Sequence, residues 1–168
     1  MFGTLLLIAA AHAADPLAEA RAGKLQCVSP NVEAKKCLAI ASYVVRPDGS
    51  FDTVVTLMIA PSPLIAMETR ASGKAEGEAL CSIVRKSDYE ASKYTIDGKP
   101  ADAATASAIT AQILGTVAAM DGKKACSIDR PDTGDLMVEE VTLDGVARPD
   151  MTQKFIWVKP EDGYTVGQ

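Results

Sequence analysis

The stretch LAIASYVVRPDGSFDTVVTLMI, residues 38–59, decides how the rest of the chain is read. Two runs rich in β-branched and aromatic residues flank Arg46-Pro47-Asp48-Gly49-Ser50, which has turn chemistry, so the spacing predicts a hairpin. In the second arm Phe51, Thr53, Val55, Leu57 and Ile59 share one face at the two-residue period of a strand. That face is expected to be core.

Working outward, Pro61-Ser62-Pro63 ends the arm because proline cannot donate to a strand ladder. Leu64 to Arg70 and Ala79 to Arg85 read as further strands, joined by an exposed loop from Ala71 to Glu78 that is a candidate contact surface. Lys124 to Ile128, Leu136 to Leu143 and Gln153 to Lys159 also read as strands. Tyr94-Thr95-Ile96-Asp97-Gly98 and Val141-Thr142-Leu143-Asp144-Gly145 are two strand ends entering Asp-Gly turns, too short a match to make a repeat.

One helix stands out, from about Ala101 to Met120. Ala106, Ile109, Ile113, Val117 and Met120 form an apolar stripe, Asp102 is placed to cap its start and Gly122 to end it. A shorter helix is expected between Pro16 and Gly23. The fold class expected from this pattern is α+β: a mainly antiparallel sheet with one principal helix packed on one face, and two disulfides.

The N-terminus decides which chemistry is open. Leu5 to Ala11 is wholly apolar, and Ala11-His12-Ala13 puts small residues where a signal peptidase reads, so residues 1–13 are expected to be a signal peptide and Ala14 to Gln168 a single exported domain. The apolar run is far shorter than the ~20 residues that span a bilayer. It lacks a Lys or Arg before its core, a departure that points to a start codon upstream. His12 is the only histidine, and cleavage would remove it.

Four cysteines, Cys27, Cys37, Cys81 and Cys126, behind such a leader are expected to form two bridges. Cys27 with Cys37 and Cys81 with Cys126 is the favoured pairing, because the first closes a short local loop. No C-x-x-C and no His/Cys cluster is present, so neither a metal nor a cofactor is expected. A net charge of −5 argues against nucleic acid as a partner.

Without His12, Ser-His-Asp and Cys-His catalysis lack a base. No G-x-S-x-G, Walker loop or G-x-G-x-x-G occurs. Carboxylate chemistry remains, with Asp88 and Glu90 beside Tyr89, or Glu139 and Glu140, as candidate pairs whose separation a sequence does not show. The segment Asp129 to Asp135 is the densest cluster of oxygen ligands, but it lacks EF-hand spacing and reads as a polar turn. Phe155 and Trp157 share a strand face, read as core before an aromatic platform.

These observations give an expectation of a monomeric, bacterial, periplasmic or secreted accessory or binding protein of the cell envelope. It is read as leaning away from catalysis and acting on an envelope or secreted protein through an exposed loop or sheet edge. The alternatives are a hydrolase of envelope glycans using an Asp/Glu pair, which requires a cleft and a carboxyl of raised pKa, and an inhibitor of a secreted enzyme, which requires a rigid loop beside a disulfide.

Overall fold

The computed structural model describes residues 15–168, so the expected leader and His12 lie outside the described residues. The strands are β1 (Leu25–Val28), β2 (Lys36–Cys37), β3 (Ala39–Val45), β4 (Ser50–Pro61), β5 (Leu64–Glu76), β6 (Ala79–Ile83), β7 (Lys93–Ile96), β8 (Lys99–Pro100), β9 (Lys124–Pro131), β10 (Met137–Leu143), β11 (Val146–Ala147), β12 (Gln153–Val158) and β13 (Thr165–Val166). The helices are α1 (Ala18–Arg21), α2 (Lys86–Glu90) and α3 (Ala103–Val117).

The sheet closes on itself. Its order runs β4-β3-β1-β12-β10-β9-β6-β5, and β5 pairs again with β4, giving a closed antiparallel barrel of eight strands. This corrects the expected sheet covered by a helix on one face. The reason lies in β4 and β5, which pair from Ser50↔Lys74 to Pro61↔Leu64 and are long enough to coil. The lower part of β5 then takes β6 as its second neighbour, from Gly73↔Ser82 to Glu76↔Ala79, and carries the wall round to β9.

The hairpin read from residues 38–59 is β3–β4, in register from Ala39↔Leu57 to Val45↔Phe51. Gly49, with φ of 81°, makes its turn. The expected exposed loop from Ala71 to Glu78 is instead mostly strand, because β5 continues to Glu76 and turns through Gly77 and Glu78. Ala71, Gly73 and Ala75 are half-buried along this strand while Ser72, Lys74 and Glu76 are exposed, so its inner face is made of small residues.

Towards its start β5 leaves β6 and pairs with β7, from Ile65↔Ile96 to Glu68↔Lys93. Helices α2 and α3 pack on this splayed part. The Thr69 hydroxyl donates to the Asp88 carbonyl of α2 at 3.1 Å, and the Thr110 hydroxyl of α3 donates to the Tyr94 hydroxyl at 3.2 Å. Thr69 is paired with Val55, and Tyr94 with Met67 beside Leu57, so both helices meet the side that continues the barrel's inner face. The Asp102 carboxylate caps α3 by accepting the Thr105 amide at 2.9 Å. Ile109, Ile113 and Val117 turn inward, while Ala104, Ala108 and Ala111 are exposed.

One end of the barrel is plugged from the N-terminal side. Leu17, fully buried, and Ala20 on α1 pack with Phe51 against Tyr43, Val45, Ala75, Leu80 and Trp157. Burying a leucine of this kind contributes about 1.5–3 kcal/mol. A second cluster lies on the outer face of β1, where Cys27, Cys37 and Val158 pack with Ile40, Ile156 and Tyr164. Disulfides join Cys27 to Cys37 and Cys81 to Cys126, the latter directly opposite each other on β6 and β9.

Candidate functional site

Alternation along the strands sorts each side chain into the lumen or the outer face. The apolar part of the lumen is lined by Val28, Ala39, Ala41, Val55, Leu57 and Leu80, and its polar part by Gln26, Tyr43, Thr53, Ser127, Glu139 and Gln153. The space enclosed is about 330 Å³. Above it a second hollow of about 570 Å³ shares Leu80, Ser82, Ser127, Glu139 and Gln153 and is rimmed by Ser29, Leu38, Met151 and Thr152. The barrel is therefore plugged at the Leu17 end and hollow towards the opposite end.

Two carboxylates meet inside. Glu139 on β10 is in register with Asp129 on β9 and with Gln153 on β12. Directly opposed residues of an antiparallel pair carry their side chains on the same face, with Cβ atoms about 4.5–5.5 Å apart. Gln153 donates its amide Nε2 to Glu139 Oε2. Asp129 Oδ1 is buried and has no hydrogen-bond partner.

Burial, reinforced by the negative charge of Glu139, pushes the Asp129 carboxyl up to about 7. From the other wall Tyr43 donates its hydroxyl to Gln26 Oε1 at 2.7 Å, and Gln26 is itself buried. Burial, with the nearby charges of Glu139 and Asp129, pushes the Tyr43 hydroxyl well above the ordinary phenol range. No Lys, Arg or His is among the described residues that line either hollow.

The sequence-level candidates separate accordingly. Glu139 faces the lumen, whereas Glu140 is exposed and pairs outside with Arg130 at 3.8 Å, so the adjacent pair does not act together. Asp88 and Glu90 lie on α2 and line neither hollow. The oxygen-rich segment is dispersed: Asp129 turns inward, Arg130 outward to Glu78, and Asp132 accepts Lys154 Nζ at 2.7 Å. Among the described residues no group of three or more metal-ligating side chains converges.

Phe155 is fully buried, and Trp157 stands edge-on to it with centroids 5.8 Å apart, so this pair is wall packing rather than an open platform. Gln26, Tyr43 and Gln153 are not singled out by the sequence as site residues, and Asp129 is named there only within the oxygen-rich turn, not as a lumen carboxylate. Asp129 escapes because the strand read from residues 124–128 stops one residue short of it. Continuing the alternation from Ala125 and Ser127 puts Asp129 on the inner face.

Comparison of the chain with family models, with curated proteins and with solved structures gives no match.

Proposed function

We propose that the protein is an exported, non-catalytic binding protein of the bacterial periplasm that holds a small molecule inside its barrel. The observation that carries this reading is the hollow lumen itself, plugged by Leu17 and Phe51 at one end and continued by a wider hollow towards the other. Eight strands make an interior that side chains either fill or leave large enough for one small ligand. Here small residues, Ala39, Ala41, Ser82 and Ser127, stand on the inner face and leave space. Two disulfides are compatible with an extracellular or secreted protein, and the periplasm is the compartment we infer.

Closure of the barrel weakens the expected sheet-edge route, because full closure removes edges from the eight main strands. The glycan-hydrolase reading gains a carboxyl of raised pKa at Asp129, but a polymer needs a through-running cleft and this lumen is plugged at one end. A second reading, contact with an envelope or secreted protein, is favoured by the turn closed by Cys27 and Cys37, which carries Val32 at 59% exposure.

Native mass spectrometry of the oxidised protein, purified without detergent, tests the lumen reading. The expected result is a small molecule retained by the wild type and lost from Val55→Trp, whose indole fills the hollow. Equal retention by both would place the ligand elsewhere, and a protein bare under all conditions that gains no stability from any small-molecule library would end the reading.

A further inference from the structure

The geometry points to a ligand with a protonated nitrogen, an ammonium or amidinium group, held in the lumen between the carboxylates of Asp129 and Glu139. This inference rests on the reading of the lumen as a binding cavity and assigns the chemical class that the cavity takes.

Four carboxylate oxygens are gathered on one stretch of wall by the Asp129↔Glu139 register. The hydrogen bonds of the described residues supply them with one donor, Gln153 Nε2 on Glu139. Another donor of the lining, the Tyr43 hydroxyl, is turned to Gln26. Asp129 Oδ1 is buried without a partner, and the register puts Asp129 on the inner face beside Glu139, which lines both hollows. A buried acceptor left unmade costs stability, so its persistence calls for a group that the protein does not itself contain.

That group must bring positive charge as well as donors. Above about pH 7 the Asp129 carboxyl is ionised beside Glu139; two like charges side by side in a poorly solvated interior disfavour each other, and the described lining contains no cation to offset them. The Arg and Lys side chains near these strands are used outside, Arg130 by Glu78 and Lys154 by Asp132. An amidinium or ammonium presents several N–H donors from one centre and pairs with carboxylates by charge-assisted bonds. A bare divalent ion is a poorer occupant, because calcium takes six to eight oxygen ligands and no group of three metal-ligating side chains converges among the described residues. Val55, Leu57 and Leu80 line the same space and supply contact for an apolar remainder.

The test compares two probes of nearly the same shape, benzamidine and its neutral counterpart benzamide, by calorimetric titration of the full oxidised chain at pH 8. Benzamidine is expected to bind the wild type about ten-fold tighter or more. In Asp129→Asn/Glu139→Gln the preference for benzamidine over benzamide is expected to vanish. The single variant Glu139→Gln, expected to lose part of the preference, serves where the double variant does not fold. Equal binding of the two probes to the wild type, or a preference that survives the double variant, overturns the charged-ligand assignment and leaves the lumen reading standing. If neither probe binds, the charged-ligand assignment falls and native mass spectrometry still decides the lumen reading; if benzamidine binds and Val55→Trp leaves that binding unchanged, the lumen reading and this inference fall together.

Discussion

The ring of Phe51 closes over Gly73. An ideal Cβ on Gly73 would lie 2.5 Å from Cζ of Phe51 and 2.5 Å from the carbonyl oxygen of Cys81. The two residues are directly paired on β4 and β5, where β5 takes up β6 and the barrel wall is completed. Gly73→Ala must push aside both a buried ring and a ladder carbonyl, so it is expected to cost about 1–3 kcal/mol, with Gly73→Val costing more. Urea denaturation reads this directly; an unchanged midpoint for Gly73→Ala would mean that the ring and strand yield freely and that this contact does not hold the wall.

The two disulfides are expected to differ in their contribution. Cys27–Cys37 spans a separation of 10 residues and Cys81–Cys126 one of 45. Loop-closure entropy then assigns about 3 kcal/mol to the first and about 4 kcal/mol to the second. The variants Cys27→Ala/Cys37→Ala and Cys81→Ala/Cys126→Ala, unfolded in urea against the oxidised wild type, are expected to fall in that order of loss. The reverse order would show that packing around the fully buried Cys27 and Cys37 outweighs the chain-entropy difference.

Elements with strong local signals were legible in the sequence, and closure was not. The β3–β4 hairpin carries its signal in the Phe51, Thr53, Val55 alternation and the Asp48-Gly49 turn, and α3 carries its own in Asp102 and the Ile109, Ile113, Val117 stripe. The extension of β5 through Ala71, Gly73 and Ala75 lacks the bulky residues that mark a strand, yet those small residues are what lets Phe51 lie over the wall. Whether β5 returns to β4 after β6 depends on strand coiling and on partners far apart in the chain, which no local pattern records. The site suffers the same blindness: Asp129 and Glu139 belong to different strands, and only their register makes them a pair.

Leu17 is fully buried at the plugged end, in the same cluster as Trp157. Leu17→Ala leaves a cavity there and is expected to cost about 2–5 kcal/mol. Trp157 is the only tryptophan, so its fluorescence reports on the plug without labelling. Quenching by acrylamide is expected to rise in Leu17→Ala under conditions where the protein is still folded. A loss of stability with no change in quenching would separate the packing of α1 from closure of the lumen.

Asp129→Asn gives the sharpest dependence on pH. Burial and the charge of Glu139 raise the Asp129 carboxyl from an ordinary value of 3.8 to about 7 in the folded protein. Between those values the unfolded chain releases this proton while the folded chain keeps it, so the group lowers stability progressively as pH rises towards about 7, with no further loss above it. Asparagine resembles the protonated acid and does not titrate. The variant is therefore expected to match the wild type near pH 4 and to exceed it by roughly 2–4 kcal/mol at pH 8, by the free energy of a shift of this size. Urea midpoints at the two pH values check the sign as well as the size. A gap that is the same at both would mean that Asp129 ionises freely in the folded state, and that the lumen is wetter than its buried, unpartnered Oδ1 implies.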